Sequence, residues 1–391
     1  MNMFRGARVQ TGLEVFLEQG LPELQGRRAG LITNHTGVDS RFRSGVDLLH
    51  RSDHLKLVAL FGPEHGVRGD AQAGLHVGAA VDARTGLPVW SLYGATRRPT
   101  PEMLEGLEAI IFDLQDIGVR YATYISTMAY AQEAAAEGGR LFVVFDRPNP
   151  LGGTRLAGNL LDQAWASFVG VHPLPVCHGM TVGELARLLA AERGWPEPLV
   201  VPMRGWKRPQ WFDGTGLSWV QPSPNLPTLD SVTLYPGTCL IEGTNVSEGR
   251  GTTRPFELVG APWIDPFHLT GELERCQLAG FAFRPAYFTP TFSKYTHITC
   301  GGIQTYVVDR EAARPFELGL HLLHALLRLY PDDFGWKQGR DGHYFVDLLF
   351  GSDQPRRALQ DGAEVADLVK GWTEALDKFR SKRQPFLLYE G

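Results

Sequence analysis

Four apolar runs, residues 29–33, 57–61, 109–112 and 141–145, each break off into polar residues capable of chemistry. The first opens into Asn34-His35-Thr36, the second into Gly62-Pro63-Glu64-His65-Gly66, the third into Asp113-Leu114-Gln115-Asp116 and the fourth into Asp146-Arg147. Short apolar runs closed by turn formers fit strands buried on both faces, as in a parallel sheet. Sheets of that kind gather ligand chemistry beyond the carboxyl ends of their strands. Asp and Asn after a strand also serve as helix caps and turn residues, and for any single position that reading is as good. Four strands delivering Asn, His, Glu, Asp and Arg to one edge are better explained by a site.

The segments between these runs read as helices. An amphipathic stretch with Leu13, Val15, Phe16 and Leu21 precedes the first strand, 38–51 reads as helical, and 123–137 carries Ile125, Met128, Ala129, Gln132 and Ala136 at helical spacing. Gly138-Gly139 stops the last of these where a C-terminal glycine is favoured. A Gly-rich excursion through Gly69, Gly74 and Gly78 interrupts the alternation. The order predicts a Rossmann-like α/β domain over residues 1–150. Beyond Pro148-Asn149-Pro150 the texture changes, with 232–240 and 298–308 reading as strands among Pro-rich and Trp-rich loops. Thr181-Val182-Gly183-Glu184 is a capping box opening a helix to about residue 193, and Asp265-Pro266 opens another to 278. Val365, Leu368, Val369, Trp372, Leu376 and Phe379 form one apolar helical stripe suited to core packing. A second, α+β domain over 151–391 is the simplest account.

Composition narrows the partners. With 391 residues, 43% of them hydrophobic and 21% charged, the chain is long enough for two cores. A formal charge of -5 and no block of consecutive Lys or Arg give nucleic acid and anionic membranes nothing to bind. A small-molecule or carbohydrate partner is the natural alternative. The N-terminus lacks the apolar core and cleavage site of a secretory signal, which points to the cytoplasm, and no apolar run approaches the ~20 residues of a membrane helix. Cys177, Cys239, Cys276 and Cys300 show no CxxC spacing, so free thiols and no structural zinc are expected. The sequence has no G-x-S-x-G, H-E-x-x-H, G-x-x-x-x-G-K-[ST] or G-x-G-x-x-G motif, which removes support for a serine hydrolase, a zincin, a P-loop NTPase or an ordinary dinucleotide enzyme. No cofactor is expected.

Carboxylates remain. Glu64 ends the second strand, and a Gly-punctuated segment, Glu242-Gly243-Thr244-Asn245-Val246-Ser247-Glu248-Gly249-Arg250-Gly251, holds two more after the run 232–240. Glycosidases need two carboxyls across a cleft, one to protonate the leaving oxygen and one to attack or to activate water. Glu64 with Glu242 or Glu248 would serve; a substrate carrying a 2-acetamido group could instead use Asp113 and Asp116. The plainer reading pairs Glu248 with Arg250 in solvent. Two other functions compete: a muropeptide or sugar-binding protein without turnover, and a metal-dependent hydrolase with Asp113, Asp116, Asp146 and His65 as ligands. Trp195, Trp206, Trp211, Phe212 and Trp219, near Arg204, Lys207 and Arg208, would suit sugar faces, though tryptophans in long loops also anchor them to the core.

Together the motifs resemble the NamZ-like family of exo-acting β-N-acetylmuramidases, formerly a domain of unknown function. The resemblance covers nearly the whole chain. It is carried by Gly30-Leu31-Ile32-Thr33-Asn34-His35-Thr36-Gly37, the Gly62-Pro63-Glu64-His65-Gly66 loop, Phe112-Asp113-Leu114-Gln115-Asp116-Ile117-Gly118-Val119-Arg120-Tyr121, Asp146-Arg147-Pro148-Asn149-Pro150, Cys177-His178-Gly179-Met180-Thr181, Pro222-Ser223-Pro224-Asn225-Leu226-Pro227 and the 242–251 segment. It implies a Rossmann-like domain first, an active site in the interdomain cleft, and release of terminal non-reducing N-acetylmuramic acid from peptidoglycan fragments. Glu64 then becomes the leading catalytic carboxyl, with Glu242, Glu248 and Asp116 as candidate partners. Arg120 and Arg250 suit the lactyl carboxylate of the sugar through bidentate bonds. Asn34, Asn225 and Asn245 suit its amide and hydroxyls, His35 and His65 would orient a carboxyl, and Tyr121 is placed among the substrate contacts. Family members acting on cell wall are commonly exported, and this chain departs from them in showing no signal.

Overall fold

A computed structural model of the chain describes residues 8–69, 80–94, 96–339 and 342–391. Gly74 and Gly78 of the Gly-rich excursion, and residues 1–7 of the N-terminus, lie outside the described residues.

Each apolar run is a strand. β1 (Arg28–Thr33) and β2 (Lys56–Gly62) pair in parallel, and β3 (Ala80–Val81) and β4 (Pro88–Ser91) follow as a short antiparallel pair. β5 (Ala109–Asp113) and β6 (Leu141–Phe145) come next, then an antiparallel pair of β7 (Ala157–Leu160) and β8 (Pro175–Cys177), and then β9 (Leu199–Val201). The main sheet has the order β3-β4-β2-β1-β5-β6-β9, parallel throughout except for β3. Because β9 pairs with β6, the sheet does not finish at residue 150, where the sequence reading placed the division.

Helices cover both faces of this sheet, which is why its central strands are continuously apolar. In β1, Leu31 joins a core with Leu13, Phe16, Val46 and Leu49 of α1 (Gly12–Gln19) and α2 (Gly45–His50). The next residue, Ile32, points the other way, into a core with Phe112, Ile125, Met128 and Leu185 of β5, α3 (Thr123–Glu137) and α4 (Val182–Arg193). Each such side chain contributes about 1.5–3 kcal/mol on burial. The capping box Thr181/Glu184 opens α4 as expected, and Gly138 and Gly139 end α3. α2 is shorter than the 38–51 reading. Asp39 accepts from the backbone N–H groups of Arg41 (2.9 Å) and Arg43 (2.8 Å), and this turn competes with the helix.

The later half builds a second core. The run 232–240 is a helix, α5 (Leu229–Thr238), not the strand its Val-Thr-Leu texture suggested. Thr228 and Ser231 cap it reciprocally, and it packs along α7 (Pro315–Leu329). There the backbones touch: a Cβ on Gly237 would lie 1.9 Å from the Pro315 carbonyl, and one on Gly319 would lie 2.4 Å from that of Gly237. β10 (Leu258–Ala261), α6 (Pro266–Arg275), β11 (Phe281–Phe288) and β12 (Cys300–Val307) complete an α/β layer whose antiparallel sheet runs β10-β12-β11. α6 stops at Arg275, short of 278, as Gln277 enters a left-handed conformation. α8 (Phe345–Phe350), α9 (Gln354–Gln360), α10 (Val365–Gly371) and α11 (Thr373–Arg383) close the chain. The C-terminal stripe is thus two helices, broken where Trp372 turns against Phe316. The four cysteines are free thiols, and no helix among the described residues is long and apolar enough to cross a membrane.

Candidate active site

Beyond β2 the chain makes a tight turn, with Gly66 N donating to Pro63 O at 3.0 Å. His65 (φ 76°) and Gly66 (φ 74°) are both left-handed, a conformation that costs a non-glycine residue about 1 kcal/mol or more. That turn brings Glu64 and His65 to the wall of a pocket lined also by Tyr121, Thr123, Tyr124, Ser223, Tyr235, Arg250 and Phe256. Both halves of the chain contribute. Thr123, the first residue of α3, donates its hydroxyl to Glu64 Oε2 at 2.9 Å. Burial, and after it the nearby Glu64 charge, push the Tyr93 phenol up to about 12. Tyr124 accepts from Asn34 Nδ2 (2.8 Å) and donates to the Pro222 carbonyl (2.6 Å), which fixes the pocket floor.

Arg250 lines the same pocket. Its Nη2 bonds Glu242 Oε1 at 2.7 Å, its Nε meets Glu248 Oε1 at 3.1 Å, and its guanidinium lies over the Phe256 ring. Lys294 closes the group from behind, with Nζ 3.0 Å from Glu248 Oε2 and donating to the carbonyls of Ile241 (2.9 Å) and Val246 (2.7 Å). Burial works against the charge on Arg250, but Glu242 and Glu248 outweigh it and hold the guanidinium above its ordinary range. Burial lowers Lys294, partly offset by Glu248. The Glu248–Arg250 pair is not a solvated surface pair, since the Glu248 side chain is only 3% exposed.

Among the residues expected from sequence, Glu64, His65, Tyr121 and Arg250 line the pocket, and Glu242 and Glu248 stand directly behind Arg250. Others stand apart. Arg120 is 1% exposed and donates to four carbonyls: Asn159 (2.8 Å), Leu174 (2.6 Å), Leu349 (2.9 Å) and Phe350 (2.6 Å). Asn34 braces its own turn, its Oδ1 accepting from Thr36 N and Oγ1, and His35 Nε2 meets the Gln221 carbonyl at 2.7 Å. Asn245 ties Asp333 and Gly335 to the 242–251 segment. Asn225 is buried next to the pocket-lining Leu226, and its amide nitrogen has no hydrogen-bond partner among the described residues. Asp116 is buried too, accepting from Gly118 N at 2.7 Å with His178 Nε2 at 3.8 Å, and burial raises its carboxyl to about 7.

Two of the ligands named in the metal reading are engaged by other residues. Asp113 is held by Arg147 through two bonds (2.6 and 3.0 Å), and Asp146 accepts from Thr181 Oγ1 and Gly183 N. No cluster of three or more His, Cys, Asp or Glu able to hold an ion occurs among the described residues. The tryptophan-rich loop is anchoring: Trp206 is buried against Tyr389, Trp211 lies between Arg155 and Arg310, and Trp219 packs edge-on to Phe212. The pocket's rings are Tyr121, Tyr124, Tyr235 and Phe256 instead. Sequence reasoning also missed Tyr93, Thr123 and Lys294. Only Thr123 carried a signal, as the first residue of a helix beginning beside the third strand's loop.

Fold and pocket together define a two-domain α/β protein with one pocket lined by Glu64 from the first half of the chain and Arg250 from the second. The chain belongs to the NamZ family: the models described as "Exo-beta-N-acetylmuramidase NamZ, N-terminal" and "C-terminal" match residues 29–230 and 233–389. It is 48% identical over 383 residues to the peptidoglycan beta-N-acetylmuramidase NamZ of Bacillus subtilis (strain 168), covering 98% of this chain and 92% of that one. Two crystal structures of DUF1343 family proteins from Bacteroides fragilis NCTC 9343 resemble it. One has a TM-score of 0.90 at 40% identity, the other 0.78 at 29%, each covering 98% of this chain and 99% of the other.

Proposed function

We propose that this chain is a glycoside hydrolase releasing terminal non-reducing N-acetylmuramic acid from peptidoglycan fragments, with Glu64 as a catalytic carboxyl. One observation carries the site assignment: Glu64 and Arg250, with Glu242 and Glu248 behind the latter, share one pocket although they are far apart in sequence. The parallel strands, counted from β1 along the chain, lie in the order 3-2-1-4-5-6 with helices on both faces, which supports a Rossmann-like first domain. Contributions from both halves support a pocket in the cleft between domains.

Of the two glutamates behind Arg250, Glu242 is the better second carboxyl. Its side chain is 20% exposed against 3% for Glu248, which is engaged by both Arg250 and Lys294. Glu248 then serves to hold Arg250, and Arg250 Nη1 is left to receive the substrate's lactyl carboxylate. Arg120, committed to four carbonyls, has no such role.

The test is turnover of a chromogenic N-acetylmuramide beside a glucosaminide control. The wild type is expected to cleave the muramide selectively, and Glu64→Gln to lose roughly 10²–10⁴-fold in kcat. EDTA is expected to leave the rate unchanged; a loss restored by a divalent cation would favour the metal reading. Calorimetric binding without product would favour a sugar-binding protein.

A further inference from the structure

Glu64 and Tyr93 leave the sheet side by side. β2 and β4 are parallel neighbours whose last register pair is Gly62 with Ser91, so each residue lies two positions beyond its strand's final pair. The backbone continues that pairing for one more step, Leu92 N donating to Gly62 O at 2.8 Å. Ser91 then fixes the turn, its Oγ accepting from Tyr93 N (3.3 Å) and donating to Tyr93 O (3.1 Å). The Tyr93 ring leans on Phe168, which is itself stacked against Tyr130 and covered by the Arg97 guanidinium at 4.5 Å. A phenol built in on this many sides has its direction set before any substrate arrives.

We infer that Tyr93 is a positioning residue for Glu64, its hydroxyl holding the carboxylate in the orientation from which it faces Arg250 and the sugar between them. The inference rests on Glu64 being the catalytic carboxyl. The charged groups facing the hydroxyl are Glu64, Arg97 and Arg250, and burial together with Glu64 keeps the phenol protonated throughout the neutral range. It is therefore always a donor, as is Thr123 Oγ1. Hydroxyl donors at fixed positions orient the oxygens of a carboxylate, and hydrogen bonds of this kind favour the ionised form of any carboxyl that accepts them.

The experiment compares Tyr93→Phe, Thr123→Val and Glu64→Gln with the parent on the chromogenic muramide across pH. Phenylalanine keeps the ring against Phe168 and removes only the hydroxyl, so Tyr93→Phe is expected to melt with the parent. Its kcat is expected to fall about tenfold with KM within about twofold, and the acidic limb of its kcat/KM profile to move up by about one pH unit. Thr123→Val is expected to move the limb the same way. Parental kcat and profile in Tyr93→Phe, with Glu64→Gln inactive, overturn the inference alone. An effect confined to KM also overturns it. Full activity in Glu64→Gln removes the reading of Glu64 and this inference with it.

Discussion

Arg120→Met separates two roles that the sequence leaves indistinguishable. Methionine keeps most of the apolar stem and deletes the donors that serve Asn159, Leu174, Leu349 and Phe350. A buried carbonyl stripped of its donor costs about 1–3 kcal/mol, so four cost about 4–12 kcal/mol. The substitution also relieves the desolvation of a buried guanidinium, which is severe enough to lower this arginine to about 10, so the lower end applies. An unfolding entropy of about 2.1 cal/mol/K per residue over 391 residues gives about 0.8 kcal/mol/K, and a loss of about 4 kcal/mol lowers the melting temperature by about 5 °C. Scanning calorimetry reads this directly, and steady-state kinetics on the surviving protein should show an unchanged KM. A parental melting temperature with a raised KM would refute the reasoning and return Arg120 to the substrate.

Two further outcomes follow from the same contacts. Lys294→Met withdraws a cation from Glu248 and a donor from the Ile241 and Val246 carbonyls, so kcat/KM on the muramide should fall about tenfold with a loss of about 2–6 kcal/mol in stability; parental kinetics would show that Arg250 needs no such support. Asp116 has a carboxyl raised to about 7 in the folded state, so its contribution is full below the unfolded value near 4 and is lost as pH rises through 7. Asp116→Asn should flatten the decline in denaturant stability over that window, by up to roughly 4 kcal/mol at pH 8, and a stability–pH curve parallel to the parent's would count against it.

The main sheet was legible because strands covered on both faces carry no polar position, and 29–33, 57–61, 109–112 and 141–145 show that plainly. Glu64 was legible for a related reason, since a Gly-Pro break after such a strand marks where backbone leaves the core. α5 was not legible. Its Val232-Thr233-Leu234 run suits a strand locally, and the helix is decided by the Thr228 cap and by contact with a helix far along the chain. Arg120 and Arg250 illustrate the same limit. Both lie in polar, glycine-containing motifs, and what distinguishes them is a set of carbonyls from 39 to 230 residues away, which no local pattern encodes. Tyr93 was invisible because its importance comes from strand register, and β4 is too short to announce itself.

The meeting of Gly237 with Pro315 and Gly319 has a consequence for how such a pocket can change. Glu242 follows Gly237 by five residues, through the last residue of α5 and a tight 3-10 turn, so its footing is two backbones resting on each other. Even a methyl group at that crossing would shift the whole segment, leaving no small step by which that wall could be retuned. New sugar preferences in this fold are therefore expected to arise elsewhere on the pocket lining, around Ser223, where a side chain can change without displacing a helix.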